Sequence, residues 1–235
     1  MSAMNEIPIT PLFTKSLAMI DDLANKLQNN QPITSSKSSE KKVQQKKEQK
    51  PKQQQPPKKA AAKPTHPFHQ TFLVVAQVES IEKHPESEKL YKITLNIGGD
   101  EKKGLVAGLR KFYTETELLN RKLISIVNLK PKKLAGVLSE AMILAGTAVG
   151  DENNVKILDP SPNAQVGDRV VLSTDVNIIE PYVQSIEDRC SPNQWEKIVK
   201  ELKVINGQPS VSGTTLTLLD GSIIKCELPD GSEIH

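Results

Sequence analysis

The first apolar pattern along the chain has the spacing of one helix face. Apolar side chains recur in steps of three and four through residues 11–28, and Thr10 and Pro11 suit the N-cap and first turn of a helix. The repeating positions are Phe13, Leu17, Ile20, Ala24 and Leu27. A helix of this length is marginal alone in water. We therefore expect residues 1–28 either to dock on a partner protein, mainly through Phe13, Leu17, Ile20 and Leu27, or to pack on this chain's own folded domain.

The pattern disappears in residues 29–67, where lysine, glutamine, proline and serine dominate. Such a composition buries too little apolar surface to offset chain entropy, so this segment is predicted to be a disordered linker. Residues 37–63 hold ten lysines and two glutamates. The linker can be a plain tether or an arm that adds phosphate contacts, and we expect both roles. The lysines expected to add these auxiliary contacts are Lys41, Lys42, Lys46, Lys47, Lys58 and Lys59.

From residue 68 onward the apolar residues form short runs typical of β-strands. The predicted strands are 72–78, 90–97, 103–109, 122–128 and 140–145. Thr114 can cap a helical turn between the third and fourth of them. Five short strands with a helical insert fit a small closed barrel of the oligonucleotide-binding type, which we place at residues 68–175.

The remaining residues, 176–235, predict a smaller α+β subdomain. Ser191 and Pro192 are typical of a helix start, and apolar spacing continues the helix to about residue 203. Two apolar runs flank Asp220-Gly221 and predict a hairpin over 214–226. The predicted fold class is therefore mainly β: a five-stranded oligonucleotide-binding barrel with a C-terminal α+β subdomain, a disordered linker and a short N-terminal helix.

The charge distribution indicates a polyanion as partner. The whole chain carries a net charge of +3, but residues 64–235 hold 19 basic and 23 acidic side chains. Within them, residues 102–133 hold nine basic and two acidic side chains. A basic stripe on an acidic body favours an oriented polyanion site. The two cysteines lie far apart, and the start of the chain does not resemble a signal peptide, so we expect a reducing, cytoplasmic compartment and no membrane span.

The most informative stretch is residues 128–142, where three lysines surround Pro131 at the end of a predicted strand. A basic surface turn suits phosphate contact, although a solvated turn is the plainer alternative. Asn128 and Ser139 could bind sugar or base edges, or else cap the turn. The full set of candidate nucleic-acid-binding residues is Arg110, Lys111, Arg121, Lys122, Asn128, Lys130, Lys132, Lys133, Ser139 and Met142.

Catalytic signals are weak along the chain. No phosphate-cradling glycine loop, dinucleotide fingerprint or zinc spacing occurs in the sequence. His84 stands beside Glu86 and Glu88 without a nucleophile or a third ligand in view, so we expect it to have a structural loop role. We expect no catalytic residue, no metal and no cofactor. An enzyme of unknown chemistry is the most distant alternative.

Residues 128–142 also resemble a known family, the tRNA-binding domain of the endothelial monocyte-activating polypeptide two family. Further matching pieces occur in the family's order and together cover roughly residues 70 to 230: His84–Tyr91, Val106–Leu109, Asn120-Arg121, Gly167–Arg169, Ser191-Pro192 and Trp195-Glu196. The family includes adaptor subunits of multi-synthetase complexes and domains appended to some methionyl- and tyrosyl-tRNA synthetases. The resemblance implies a C-terminal part packed on the barrel and a monomeric folded domain.

The resemblance further implies a non-catalytic tRNA-binding protein, an auxiliary adaptor that delivers tRNA to one or more aminoacyl-tRNA synthetases. The alternative is a protein–protein scaffold of a synthetase complex with weak or lost RNA affinity. The net charge of −4 on residues 64–235 favours this alternative. So do Val74, Ala76 and Ala107, which stand where the family usually has Arg, Gly and Ser.

Overall fold

The computed structural model describes residues 66–235, so the predicted N-terminal helix and nearly all of the predicted linker lie outside the described residues. Two helices, α1 (Glu115–Leu118) and α2 (Pro192–Lys200), and two short 3-10 turns, Pro67–Gln70 and Ser173–Asp175, accompany the strands of this region. The strands are β1 (Leu73–Lys83), β2 (Tyr91–Asn96), β3 (Lys102–Ala107), β4 (Lys122–Ile126), β5 (Lys132–Leu134), β6 (Val137–Ser139), β7 (Met142–Ile143), β8 (Ala145–Ala148), β9 (Asp151–Ile157), β10 (Asp159–Pro160), β11 (Val170–Leu172), β12 (Leu202–Ile205), β13 (Gln208–Val211), β14 (Thr214–Leu218), β15 (Ile224–Lys225) and β16 (Glu233–Ile234). No helix in this part of the chain is long and apolar enough to cross a membrane.

The first sheet forms a nearly closed barrel. Its antiparallel strands follow the order β3-β2-β1-β4-β7. The two ends of the sheet approach each other where the chain passes from β6 to β7, because the Glu140 amide donates to the Gly104 carbonyl of β3 at 2.8 Å. The predicted mainly-β fold with a five-stranded oligonucleotide-binding barrel is confirmed.

Strand β1 contributes to two hydrophobic cores. Val74, Ala76 and Val78 point into the barrel, while Leu73 and Val75 pack in a second core outside it. Side chains alternate between the two faces of a strand, so a strand covered on both faces must be apolar at consecutive positions. This double burial accounts for the unbroken run of apolar residues at the start of β1.

A second sheet builds the other side of the second core. Its order is β11-β14-β13-β12-β16-β8-β9, and β8 follows directly after the barrel strand β7. Trp195 and Ile198 of α2 pack into the same core. Strands β8, β9 and β11 thus precede residue 176 yet pair in the sheet that holds the C-terminal strands. The domain bounds at 175 and 176 stay a prediction.

Several local elements differ from their predicted extents. Helix α2 ends at Lys200, because Leu202 already begins β12, whose hairpin with β13 turns at Asn206-Gly207. The turn at Asp220-Gly221 forms, but only a single bridge, Thr217 to Ile223, continues the predicted hairpin. The next strand, β15, pairs with β10 instead. The prediction of a full hairpin over 214–226 was therefore wrong.

Candidate nucleic-acid interface

Residues 130–139, here called the basic hairpin, leave the barrel after β4. Strands β5 and β6 pair with Lys132 opposite Ser139 and Lys133 opposite Leu138. The connecting residues Ala135 and Gly136 have φ angles of 45° and 79°, as the two central residues of a type I′ turn require. Because side chains alternate along each strand, Lys132 and Ser139 share one face of the hairpin, and Lys133 and Leu138 share the other.

The three lysines of the basic hairpin are exposed. Among residues 66–235, no carboxylate forms a salt bridge with Lys130, Lys132 or Lys133, and no hydrogen bond occupies their ammonium groups. An unneutralised ammonium on a short, turn-fixed hairpin can meet a phosphate without first breaking an ion pair. This arrangement makes the basic hairpin the strongest candidate for a polyanion contact in the described region.

Ser139 holds the basic hairpin to the barrel. Its hydroxyl accepts a hydrogen bond from the Val106 amide at 3.2 Å and donates to the Ala141 carbonyl at 3.1 Å. These bonds fix β6 against β3. The side chain therefore positions the hairpin.

Asn128 lies fully buried at the end of β4. Its amide nitrogen donates to the carbonyls of Gln70 at 2.9 Å and Asp188 at 2.8 Å, and its amide oxygen accepts from the Phe72 backbone amide at 2.8 Å. The side chain thus connects the end of β4 to two other chain segments, residues 70–72 and the segment around Asp188. These bonds give Asn128 a structural role between distant segments, whereas the predicted capping of the basic turn is not among them.

Arg121 and Lys122 lie at the opposite end of β4 from the basic hairpin. The Arg121 guanidinium donates to the Asp159 carboxylate at 2.8 to 3.1 Å and stands 5.3 Å from the centre of the Tyr113 ring. Lys122 donates to the Ala164 carbonyl at 2.6 Å. With a rise of about 3.3 Å per residue, the two ends of β4 are roughly 13 Å apart. These two side chains therefore form a separate group.

Arg110 and Lys111 form a third group. The Arg110 guanidinium donates to the Ser87 carbonyl at 2.6 Å and lies 5.8 Å from the centre of the Tyr91 ring. Lys111 is exposed and donates to the side-chain oxygen of Asn153. The basic stretch 102–133 is thus divided over the surface. Of its four lysines whose ammonium groups have no partner among residues 66–235, three lie on the hairpin, and the fourth, Lys103, lies on β3.

A cavity of about 410 Å³ opens beside the basic hairpin. Its walls come from the hairpin, from the start of β7 and from helix α2. The apolar lining includes Leu129, Leu134, Met142, Cys190, Trp195 and Val199. Lys130 and Lys132 also face it, as do Glu140 and Glu196. Met142, a predicted site residue, is therefore a wall of this cavity, whereas Lys133 is not among its lining residues.

Sequence reasoning missed this cavity. Trp195 and Val199 come from a helix about sixty residues after the hairpin, and only the fold brings the two segments together. The spacing on α2 pointed to buried apolar residues but carried no sign of which surface they meet. Cys190 shares this apolar environment, and burial raises the pKa of its thiol to about 11.

Buried polar groups tie the barrel to the second sheet. Arg169 donates to the carbonyls of Thr71 at 2.7 Å and Val183 at 3.2 Å, its guanidinium lies 3.5 Å from the centre of the Phe72 ring, and burial lowers its pKa to about 10. His84 is buried, with its Nδ1 accepting from the Glu86 amide at 3.1 Å. The Arg169 bonds join separate chain segments, whereas the His84 bond stays within the loop between β1 and β2. Within residues 66–235, no group of three or more His, Cys, Asp or Glu side chains could hold a metal ion.

Residues 73–169 match the sequence profile of a family described as "Putative tRNA binding domain". The methionine–tRNA ligase of Borrelia hermsii is 33% identical over 69% of this chain and 22% of that protein. The cytoplasmic tyrosine–tRNA ligase of Danio rerio is 33% identical over 55% of this chain and 24% of that protein. The chain thus spans about a quarter or less of the length of these curated relatives. The crystal structure of the C-terminal domain of Plasmodium vivax p43 superposes with a TM-score of 0.59 and 24% identity, over 72% of this chain and 98% of that one, and shares the fold.

Proposed function

We propose that the chain is a non-catalytic tRNA-binding protein, because residues 73–169 match the family described as "Putative tRNA binding domain". The observation that carries the proposal is the basic hairpin. It presents three exposed ammonium groups that no carboxylate among residues 66–235 neutralises. Most other basic side chains of the matched domain, among them Arg121 and Lys122, are engaged within residues 66–235, whereas Lys89, Lys103 and Lys156 are not.

Binding would begin with phosphate neutralisation. Lysines that contact phosphates release condensed counterions, and this release supplies much of the affinity of basic proteins for nucleic acids. The hairpin supplies such charges at fixed positions, which can follow the shape of a folded RNA. The lysines of residues 37–63 would add charge from the predicted linker, and we propose that they raise affinity more than selectivity.

We further propose an adaptor role in the cytoplasm, in which the protein delivers tRNA to one or more aminoacyl-tRNA synthetases. The relatives named above are tRNA ligases, and this chain matches only a minor part of each. The apolar positions Phe13, Leu17, Ile20 and Leu27 would contact the synthetase, and the folded domain would act as a monomer. The predicted linker of residues 29–67 would let the two contacts form independently.

The scaffold alternative loses part of its support. Val74 and Ala76 are buried in the barrel core, and Ala107 is half-buried against that core. Val74 and Ala76 thus replace residues inside the barrel and take nothing from its outer surface. The scaffold alternative now depends mainly on the net negative charge of residues 64–235.

The direct test of tRNA binding is its salt dependence. If about six phosphates are neutralised, the slope of log K against log salt should be roughly −4 to −5. Fluorescence anisotropy of labelled tRNA, titrated with the full chain at several salt concentrations, measures this slope. A slope near zero, or no binding at low salt, would contradict the proposal.

The adaptor role needs a separate experiment. Changing Leu17 and Ile20 to Asp should abolish co-purification of a synthetase and change tRNA affinity by less than about threefold, since the apolar face and the basic hairpin are distinct contacts. A double variant that keeps its synthetase, or that loses tRNA binding instead, would refute the adaptor role.

A further inference from the structure

The cavity beside the basic hairpin combines two surfaces of opposite chemistry. One is an apolar wall made by Leu134, Met142, Trp195 and Val199, and the other is the pair of ammonium groups of Lys130 and Lys132. We propose that this cavity receives one unpaired nucleobase of the bound RNA, with the phosphates of the same nucleotide at the two lysines. The inference rests on the proposed tRNA binding and names the part of the RNA that the site takes.

The size and lining of the cavity fit a base. Its volume of about 410 Å³ lies within the range of roughly 300 to 1,000 Å³ typical of small-ligand sites. A base has an apolar π-face that gains from contact with aromatic and aliphatic side chains. Trp195 and Met142 offer such surfaces, and the cavity opens at the surface between the hairpin and α2.

The charges distinguish a nucleotide from other occupants. A nucleotide carries its negative charge on the phosphate, and its base is uncharged. The cavity has the matching arrangement, because the apolar wall can contact the base while the adjacent lysines contact the phosphate. Two carboxylates, Glu140 and Glu196, also face the cavity. The Glu196 carboxylate lies 3.0 Å from the Lys200 ammonium group, and Glu140 Oε2 accepts from the Gly104 amide at 3.4 Å, so both are partly compensated. An apolar peptide would fill the wall but would leave both lysines without a partner.

The hairpin geometry explains why only some of the lysines take part. Lys132 and Leu134 lie on the face of β5 that lines the cavity, while Lys133 and Leu138 lie on the opposite face. Lys133 is therefore free to contact a second phosphate outside the cavity. Bases inside a duplex are stacked and paired, so only an unpaired nucleotide can enter.

The test compares two RNA hairpins that share one stem, one blunt and one with a short single-stranded 3′ extension. Trp195 is the only tryptophan of the chain, so its fluorescence reports on the cavity directly. The extended RNA should quench this fluorescence and bind the full-length protein roughly fivefold tighter or more than the blunt RNA, as expected for one stacked base.

A matched pair of variants locates the effect. Val199→Phe adds bulk inside the cavity and should abolish the advantage of the extended RNA without changing affinity for the blunt RNA. Leu138→Phe adds bulk to the opposite face of the hairpin and should leave the advantage intact. If Val199→Phe still binds the extended RNA more tightly than the blunt RNA, the inference is overturned. Equal binding of both RNAs by the unmodified protein also overturns it, and both results leave the proposed tRNA binding intact. If neither RNA binds, the proposed function fails and the inference with it.

Discussion

Replacing Asn128 by Ala gives the sharpest test of how the end of β4 is joined to residues 70–72 and to Asp188. The buried side chain makes three hydrogen bonds of 2.8 to 2.9 Å, and its removal leaves the Phe72 amide and the Gln70 and Asp188 carbonyls without this partner. An unsatisfied buried polar group costs about 1 to 3 kcal/mol. Three such groups, with some access of water to the vacated space, should lower the free energy of unfolding by about 3 to 5 kcal/mol.

Urea denaturation followed by Trp195 fluorescence would measure this loss, since Trp195 packs in the core that Asn128 helps to close. Asn153→Ala is the control. That side chain is exposed, so its removal should cost less than about 0.5 kcal/mol. A loss below about 1 kcal/mol for Asn128→Ala would refute the structural role and return Asn128 to the set of candidate RNA contacts.

Two further predictions concern the packing of the second core. Burial raises the pKa of the Cys190 and Cys226 thiols to about 11. Because the thiolate is the reactive form, thiol reagents at pH 8 should react far more slowly with the native protein than with the protein in urea. The reaction rate of the native protein should rise about tenfold per pH unit toward pH 11. Equal rates in the two states would contradict the burial of both thiols. Gly146→Ala would place a Cβ 2.6 Å from Leu228 Cδ1 and should destabilise the protein by about 1 to 3 kcal/mol, whereas Gly104→Ala, with no neighbour closer than 3.9 Å, should be nearly neutral in the same denaturation assay. Equal effects of the two glycine substitutions would contradict the packing described for β8.

The sequence was most informative where a local rule decides the structure. Thr114 and Glu117 form the expected capping box at α1, and Ser191 caps α2 with Gln194 as its reciprocal partner. Strand alternation located β2 closely. Asn206-Gly207 is also typical of a two-residue hairpin turn. The predicted helix, however, continues to about residue 203 and so includes the first residues of β12, the strand that precedes this turn.

Other features depend on long-range contacts that no local pattern encodes. Strand β1 was expected to end near residue 78, yet it continues to Lys83 because its exposed second half pairs with β2 beyond a bulge. The Arg121–Asp159 ion pair joins residues 38 positions apart. Consequently the sequence located the basic charges but could not show which of them the fold leaves unpaired.

The central claim is that the basic hairpin binds tRNA, and charge reversal tests it most directly. Changing Lys130, Lys132 and Lys133 to Glu should weaken tRNA binding by well over tenfold at a salt concentration of about 0.15 M, where the Debye length is about 8 Å. The circular dichroism spectrum should stay unchanged, because exposed charge substitutions usually cost little stability. The matched control changes Lys197, Lys203 and Lys225 to Glu, which are also exposed and reverse the same number of charges.

The control variant should lose less than about threefold in affinity, because non-contacting charges act only through a screened field. A large loss in the hairpin variant alone is the result this account predicts. Unchanged binding by a natively folded hairpin variant, or equal losses in the two triple variants, would contradict it.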